Sequence, residues 1–240
     1  MTLSAAAQAV HGRLQGADAT FTGVSTDTRK IGQGDLFVAL VGPNFDGHSF
    51  VAQAANLGVV GALVAKPVGS SISQIQVDDT RFALGRLAAA WRQRFQIPVV
   101  AVTGSNGKTT VKNMIAAILS ERGPTLATVG NLNNDIGVPL TLLRLRTGDQ
   151  YAVIEMGMNH AGEIDYLSHL ACPTVALVNN AAAAHLAGLG SVEAIARAKG
   201  EIFSGLAADG TAVINADDTY AGLWRQLAGA RRMLTFGMEQ

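Results

Sequence analysis

The chain has 240 residues and equal numbers of basic and acidic side chains, 18 of each, so its formal net charge is zero. This balance argues against a nucleic-acid or anionic-membrane partner, since both attract a basic excess. The single cysteine excludes an internal disulfide framework and favours a reducing compartment, and no apolar stretch has the length of a membrane span. We therefore expect a cytoplasmic protein without membrane insertion.

The first part of the chain predicts a small α/β domain. A long amphipathic helix then starts at Asp79 or Thr80 and runs to Phe95, with Pro98 just beyond its end. We place the domain boundary at the start of this helix, which gives an N-terminal domain over 1–78 and a second domain over 79–240. The predicted elements of the first domain are helices at 4–10 and 49–57 and strands at 21–25, 35–40, 59–65 and 74–77.

The second domain alternates apolar strands with helices, which predicts a mostly parallel sheet and an α/β fold. In such sheets, ligands bind at the carboxyl ends of the strands. The chain stops soon after a strand-like segment, without an obvious closing element, so we expect this domain to be incomplete at its C-terminal side. The predicted strands are 99–102, 151–155, 175–179 and 211–215, and the strand-like segment is 232–236.

A strand, a glycine loop and a helix start form the most informative pattern, Thr103-Gly-Ser-Asn-Gly-Lys-Thr-Thr110. Backbone N–H groups at such a helix start point at anionic oxygens, and the helix dipole favours negative charge. Lys108 can reach terminal phosphates, and the Thr109 hydroxyl can ligate Mg²⁺. Val102 stands where the general pattern has its first glycine, so a chance match in a turn is the alternative. The predicted nucleotide-binding residues are Gly104, Ser105, Asn106, Gly107, Lys108, Thr109 and Thr110.

Two helices carry informative apolar spacing. The helix that follows the glycine loop has Val111, Met114, Ile115, Ile118 and Leu119 on one predicted face. A second helix, capped by Ser191 and running to Leu206, places Lys199 on its buried face. On periodicity alone, an ammonium that snorkels to solvent is the preferred interpretation of Lys199, and a functional lysine in a cleft is the alternative.

Three further polar features have two interpretations each. Glu155 ends a predicted strand, where it is either an Mg²⁺ ligand beside the phosphate loop or a solvated acid. The asparagine-rich segment 130–134 is either a plain loop or a set of donors and acceptors for a polar substrate. His185 follows another strand, and an isolated histidine is more often structural than a ligand.

In the first domain, two polar segments flank the predicted strand 35–40. They are Ser25-Thr-Asp-Thr-Arg29 and Asn44-Phe-Asp-Gly-His48. By their chemistry they are turns, or they hold a polar head group with Arg29 on a diphosphate.

Taken together, these motifs resemble the Mur ligase family over nearly the whole chain. The order of the motifs is far more specific than the phosphate loop alone, and the shortened loop is normal in this family. The resemblance rests on Ser25–Arg29, Gly34-Asp-Leu-Phe-Val-Ala-Leu40, Asp46-Gly-His48, Thr103–Thr110, Gly130-Asn-Leu-Asn-Asn134, Glu155-Met-Gly-Met-Asn-His160, Ala184-His-Leu186 and Ala198-Lys-Gly-Glu-Ile-Phe203.

The resemblance implies an ATP-dependent amide ligase of peptidoglycan precursor synthesis. The implied substrates are a UDP-N-acetylmuramoyl tripeptide and D-alanyl-D-alanine, joined through an acyl phosphate. It further implies ATP, two Mg²⁺ sites and a carbamoylated lysine at Lys199. We also expect a monomer.

The resemblance assigns roles residue by residue. Lys108, Lys199, His185 and Glu155 are the implied catalytic residues. Thr109 is implied at one metal, with Glu155, His185 and carbamoylated Lys199 as ligands of the second. The implied substrate residues are Ser25, Thr28, Arg29, Asp46, Gly47 and His48 at the UDP end, and Asn131, Asn133, Asn134 and His160 along the muropeptide.

The sequence also departs from the family. Ala187 stands where an acidic residue is expected, Ala183 stands for a proline, and family members continue well past Gln240. Because the part that family members have beyond this point is missing, we expect no ligase activity from this chain alone. The alternatives are a folylpolyglutamate synthase-like ligase and a non-catalytic fragment that binds a nucleotide or a UDP-sugar.

Overall fold

A computed structural model of the protein describes residues 1–183 and 189–239. It contains two compact units, Met1–Trp91 and Arg92–Gln240, which we call the first and the second unit. The long predicted helix is Thr80–Arg92, and it packs within the first unit: the Thr80 hydroxyl donates to the Ala39 carbonyl at 3.0 Å. The units therefore divide at the far end of this helix, whereas the sequence placed the boundary at its start.

A five-stranded sheet forms the centre of the first unit, with the strand order β1-β7-β6-β3-β2. Strand β1 pairs antiparallel with β7, and the other neighbours are parallel. The elements are α1 Leu3–Val10, β1 Arg13–Gln15, β2 Val24–Ser25, β3 Leu36–Val38, β4 Val41–Gly42, β5 Phe45–Asp46, α2 Val51–Asn56, β6 Gly61–Val64, β7 Ser73–Gln76 and α3 Thr80–Arg92, with β4 and β5 forming a separate hairpin.

The predicted helix over 49–57 is a composite. It opens as a 3-10 turn over Gly47–Phe50 and continues as α2, because the Asp46 carboxylate caps the turn by accepting from the His48 N–H at 2.9 Å. The predicted strand 35–40 is shorter in the structure, where it is β3. The chain turns at its end, with the Gly47 N–H donating to the Leu40 carbonyl.

The second unit is built on a six-stranded sheet in the order β13-β12-β11-β8-β10-β9, and every neighbouring pair is parallel. This confirms the predicted parallel α/β fold. The elements are β8 Val99–Thr103, α4 Lys108–Ser120, β9 Thr125–Ala127, α5 Gly137–Leu142, β10 Tyr151–Glu155, α6 Glu163–Ala171, β11 Val175–Val178, α7 Val192–Gly200, β12 Thr211–Asn215, α8 Ala221–Ala228 and β13 Arg232–Phe236.

Strand β8 lies where the direction of winding reverses. The chain proceeds from β8 to one side through β9 and β10, and then to the other side through β11, β12 and β13. A crevice forms at the carboxyl ends of the strands at such a reversal point, and it is the usual ligand site of open α/β sheets. The phosphate loop follows β8 directly, so the topology places it at this crevice.

Helix α4 packs on the sheet with only part of its predicted apolar face. Val111, Ile115 and Leu119 contact the strand core. Met114 and Ile118 are 60% and 67% exposed, so the prediction that they share the buried face is wrong. Residues three positions apart along the chain differ by about 300° around a helix. The contact with the sheet covers only the first-named three residues, each four positions after the one before.

Helix α7 is capped by Ser191, whose hydroxyl accepts from the Ala194 N–H at 3.1 Å, as predicted. The helix ends at Gly200 and tightens into a 3-10 turn over Glu201–Phe203, so it does not run to Leu206. Lys199 is only 2% exposed. The snorkelling interpretation, which periodicity alone preferred, is therefore wrong.

A buried arginine closes the end of the second unit that lies opposite the phosphate loop. The Arg92 guanidinium donates to four backbone carbonyls, those of Phe95 and Ile97 and those of Ala171 and Cys172 at the end of α6. Burial lowers the pKa of this guanidinium. Across the described ranges, no helix has the length and hydropathy needed to cross a membrane.

Candidate active site

The phosphate loop turns into α4 at Gly107, which has φ +73° and precedes the first helical residue. The Lys108 ammonium bends back over the loop and donates to the carbonyls of Gly104 at 2.8 Å and Ser105 at 3.3 Å. Burial lowers the pKa of Lys108, and nearby Glu155 opposes part of this shift. The lysine is thus held at the phosphate loop. When a phosphate binds there, the ammonium can donate to its charged oxygens in place of these neutral carbonyls.

The Glu155 side chain contacts two other predicted motifs, the phosphate loop and the asparagine-rich segment. Its side chain is 2% exposed, and one carboxylate oxygen accepts from the Thr109 hydroxyl at 2.8 Å. The other oxygen accepts from the Asn133 amide at 2.7 Å. In the described part of the chain, no lysine or arginine forms an ion pair with this carboxylate. The sequence interpretation of Glu155 as a solvated acid does not fit this burial.

Lys199 adds a second buried charge to the unit. Burial lowers its pKa to about 7, and repulsion from Lys108 adds to the shift. A large fraction of the amine is therefore uncharged near neutral pH, which is the form that reacts with CO₂ to give a carbamate. The other implied metal ligand, His185, lies outside the described residues.

The donors around Glu155 suit a hard cation. The Thr109 hydroxyl and the Glu155 carboxylate are oxygen ligands 2.8 Å apart beside the phosphate loop, which is the donor chemistry that Mg²⁺ prefers. Among residues 1–183 and 189–239, no group of three His, Cys, Asp or Glu side chains forms a complete metal cage. Mg²⁺ needs few protein ligands when phosphates and waters complete its shell, so the residues present fit it.

The asparagine segment has divided roles. Asn133 turns inward to Glu155, and the Asn134 side chain accepts from the N–H of Gly137, the first residue of α5, at 2.9 Å. Asn131 and Asn134 are exposed, and so is His160 on the loop before α6. The Glu201 carboxylate accepts from the Gly162 N–H at 2.8 Å, which fastens this loop to the turn after Lys199.

The first unit contains a cavity of about 540 Å³. Arg29 borders it with a side chain that is 86% exposed and bonded to both carboxylate oxygens of Asp27. This pairing lowers the pKa of Asp27 to about 2. Ser25 braces the same turn through its hydroxyl, which bonds the Asp27 backbone. The lining residues are Thr26, Asp27, Thr28, Arg29, Phe37, Phe45, Gly47, Phe50 and Gln53.

The Asp46–His48 turn is bonded inward. His48 is buried, its Nδ1 bonds Asp46, and its Nε2 accepts from the Ala65 N–H at 2.9 Å. Asp46 also accepts from Lys66 at 2.9 Å. Both ring nitrogens of His48 are therefore committed within the protein, and Gly47 is the residue of this turn that lines the cavity.

Family profiles match most of the chain. The Mur ligase middle domain matches residues 102–240, and the Mur ligase family catalytic domain matches residues 20–92. The chain belongs to the Mur ligase family. The two matched segments follow the division between the two units, so each unit corresponds to a separate part of a Mur ligase.

Relatives within the Mur ligases are similar over nearly the whole chain. The UDP-N-acetylmuramoyl-tripeptide–D-alanyl-D-alanine ligase of Escherichia coli K12 is 53% identical over 98% of this chain and 52% of its own length. A crystal structure of MurF from Acinetobacter baumannii, 42% identical, has a TM-score of 0.92 over 98% of this chain and 52% of that one. The chain thus spans about half the length of the curated relatives it matches.

Two other solved structures bear on the ligand and on the alternative function. MurF of Thermotoga maritima, solved in complex with ADP, is 33% identical with a TM-score of 0.82 over 91% of this chain and 51% of that one. An FPGS–AMPPCP complex is 18% identical with a TM-score of 0.51 over 65% of this chain and 49% of that one, which shows a shared fold alone. The folylpolyglutamate synthase-like alternative is therefore not favoured.

The site residues predicted from the sequence of this Mur ligase do not include two residues that contact the phosphate loop. Asn179 and Asn180 follow β11, and both donate to the Asn106 carbonyl, at 2.9 and 3.2 Å. Their position was the available signal, because polar residues after an apolar parallel strand lie at the same sheet edge as the phosphate loop.

Proposed function

We propose that this chain forms the nucleotide-binding part of an ATP-dependent ligase that adds D-alanyl-D-alanine to a UDP-N-acetylmuramoyl tripeptide. The observation that carries the proposal is the meeting of Lys108, Thr109 and Glu155 at the switch point of the parallel sheet. The identity of 53% to the E. coli ligase of that name supports the choice of substrates.

In the proposed reaction, the terminal carboxylate of the tripeptide takes the γ-phosphoryl group of ATP, giving ADP and an acyl phosphate. The amine of D-alanyl-D-alanine then attacks the acyl carbon, and phosphate leaves with the electron pair of the broken C–O bond. A carboxylate alone resists amines because it has no good leaving group. The protein has to position the reactants and to balance phosphoryl charge.

The phosphate loop supplies both needs. Gly104, Ser105, Asn106 and Gly107 form the loop and Thr110 lies in the first turn of α4, so that N–H groups at the start of the helix face the phosphates. Lys108 leaves the loop carbonyls for the terminal phosphates and offsets the charge that develops during transfer.

We propose two Mg²⁺ sites beside this loop. Thr109 would hold the first, and Glu155, His185 and carbamoylated Lys199 would hold or orient the second. Bound Mg²⁺ supplies charge neutralisation for the phosphoryl oxygens. The burial of Glu155 and Lys199 supports this assignment, because neither charge gains an ion pair from residues 1–183 or 189–239 that would offset the cost of its burial.

The first unit would bind the UDP end of the muropeptide precursor, with residues 1–78 as the binding domain. Thr28 and Arg29 line the cavity with Phe45 and Phe50, so an anionic diphosphate and a planar base both find suitable groups there, and Ser25 would act by bracing the turn at Asp27. Asp46 and His48 would act by holding the turn that places Gly47 at the cavity.

In the second unit, Asn131, Asn133, Asn134 and His160 would lie along the muropeptide, with Asn133 carrying the link to Glu155. We further propose that the protein is a cytoplasmic monomer without membrane insertion or nucleic-acid binding. The zero net charge supports the absence of polyanionic partners.

Phosphate release from MgATP tests the proposal. The 240-residue chain and a form extended to the length of its relatives receive the UDP-muramoyl tripeptide and D-alanyl-D-alanine, together and singly. Turnover by the extended form with both substrates only, and none by the shorter chain, supports the assignment. No response of either form to the pair would contradict it, and ligand binding without turnover by the extended form would favour a non-catalytic binding protein.

A further inference from the structure

We propose that Asn179 and Asn180 are positioning residues of the phosphate loop: their side-chain amides lock the Asn106 peptide so that the next N–H faces the bound phosphates. The inference rests on the proposed nucleotide function. Neither asparagine belongs to the Gly-Lys-Thr pattern, and both come from a strand far along the chain.

Three hydrogen bonds define this asparagine clamp. The amide nitrogens of Asn179 and Asn180 donate to the Asn106 carbonyl at 2.9 and 3.2 Å. The amide oxygen of Asn180 accepts from the Asn106 N–H at 2.9 Å. Both backbone polar groups of Asn106 are thus committed to side chains, so this residue offers neither group to a phosphate.

Because the peptide unit is planar, the clamp also sets the orientation of the Gly107 N–H. The Asn106 carbonyl and the Gly107 N–H belong to one trans peptide unit and point in opposite directions. Two donors on the carbonyl therefore aim the Gly107 N–H away from the asparagines and toward the cradle. Because glycine tolerates positive and negative φ, an unheld peptide before Gly107 could flip and turn a carbonyl oxygen toward the anion.

The glycines of the loop fit around the same asparagine. A Cβ atom on Gly104 would lie 2.9 Å from the Asn179 Cβ, and a Cβ on Gly107 would lie 3.0 Å from its amide nitrogen. The Asn179 side chain therefore fills the space that the two glycines leave. The absence of side chains at these positions lets a rigid polar group support the loop from behind.

The clamp is itself anchored in the sheet. The Asn179 N–H donates to the Thr103 carbonyl at 2.9 Å, and its carbonyl accepts from the Asn215 amide at 2.9 Å. The Ser105 N–H donates to the Asn180 carbonyl at 3.0 Å. Residues of β8, β12 and the phosphate loop therefore hold the backbone that carries the two side chains.

Substitutions in the 240-residue chain test this inference. Asn179→Ala and Asn180→Ala each remove donors from the Asn106 carbonyl. Asn180→Asp keeps an acceptor for the Asn106 N–H but places an oxygen against the carbonyl. Asn113→Ala, at an exposed position of α4, is the matched control. We measure MgATP affinity by calorimetry, the thermal unfolding midpoint, and amide hydrogen exchange of residues 104–107 without ligand.

We expect all three clamp variants to bind MgATP roughly tenfold more weakly at an unchanged unfolding midpoint. The Asn106 amide should exchange faster in Asn180→Ala but stay protected in Asn180→Asp. The control should match the parent in every measurement.

Other outcomes overturn the inference in distinguishable ways. Parent-like affinity in the variants refutes the clamp and leaves the proposed function standing. Affinity that falls only together with the unfolding midpoint shows a structural role instead. Absence of MgATP binding in the parent removes the proposed nucleotide function and the clamp with it.

Discussion

The two units use their polar motif residues in different ways. In the first unit, these side chains are bonded within the unit: Arg29 pairs with Asp27, and the two ring nitrogens of His48 bond Asp46 and the Ala65 N–H. In the second unit, Glu155 and Lys199 are buried without an ion pair among the described residues. Burying an unpaired charge costs free energy, so folding alone does not explain these two residues.

This difference separates two kinds of polar motif. A polar motif that satisfies its own hydrogen bonds builds a shape, here the wall of a cavity. A motif whose charges are buried without an ion pair is suited to bind a charged ligand. Changes in each unit should therefore alter different quantities, stability in the first and ligand affinity in the second.

The largest effect is expected from Lys108→Ala. The change removes a charge-assisted hydrogen bond to phosphate, worth about 1.5–3 kcal/mol, so MgATP affinity should fall roughly 100-fold. Calorimetric titration of the 240-residue chain measures it. Lys66→Ala is the control, because Lys66 bonds Asp46 in the first unit. Equal affinity for MgATP in Lys108→Ala and the parent would contradict the prediction.

Gly47→Ala should destabilise the first unit by about 2 kcal/mol. A Cβ atom there would lie 2.6 Å from the Leu40 carbonyl oxygen and 2.8 Å from its nitrogen, so the backbone has to shift. Gly69→Ala is the matched control, since nothing lies within 4 Å of its added Cβ. Urea unfolding compares the two, and similar stabilities would show that the Gly47 turn is not tightly packed.

Lys199→Met should stabilise the second unit by about 1–2 kcal/mol, because a side chain of similar length replaces a buried ammonium. In the extended form, the same change should abolish ligation. Arg197→Met, two residues before Lys199 on the exposed side of α7, should change stability by less than about 0.5 kcal/mol. Thermal unfolding decides, and a destabilised Lys199→Met would mean that the ammonium supports the fold.

The smallest effect concerns pH and Asp46. Its hydrogen bonds, first from Lys66 and then from the His48 N–H, lower the pKa of this carboxyl from its ordinary value of 3.8. A carboxyl with a lower pKa in the folded state stabilises the fold above its ordinary pKa, and this contribution is lost as pH falls. Below about pH 4, the unfolding midpoint should therefore drop more steeply in the parent than in Asp46→Asn.

A companion variant checks the cause of that slope. Lys66→Met removes the main partner of Asp46 and should also make the unfolding midpoint fall less steeply as the pH is lowered. If both variants follow the parent curve, the Asp46 interactions do not contribute to stability.

Several features were accessible from the sequence because they depend on local pattern and on topology. Apolar β-branched runs predicted β10 and β12 with their observed bounds. Parallel pairing brings strand ends to one edge, which is why Glu155 could be expected near the phosphate loop. The Ser191 cap was likewise visible as a hydroxyl three residues before its N–H partner.

Features set by distant partners were not accessible. The inward bonding of His48 depends on Ala65, and the asparagine clamp depends on residues more than 70 positions from the loop. Spacing also placed Met114 on a buried face, whereas the residue is exposed and α4 contacts the sheet through other positions. A helical pattern gives the direction of each side chain, but the partner element decides how much of that face is buried.

The Arg92 link has a consequence for acid resistance. Its acceptors among the residues that the structure describes are all backbone carbonyls, and none of them takes up a proton in the range where carboxylates do. This set of hydrogen bonds therefore contains no group that titrates at acid pH. As acidification loosens the Asp46 turn, the hydrogen bonds that join the segment at 95–97 to the end of α6 should therefore persist.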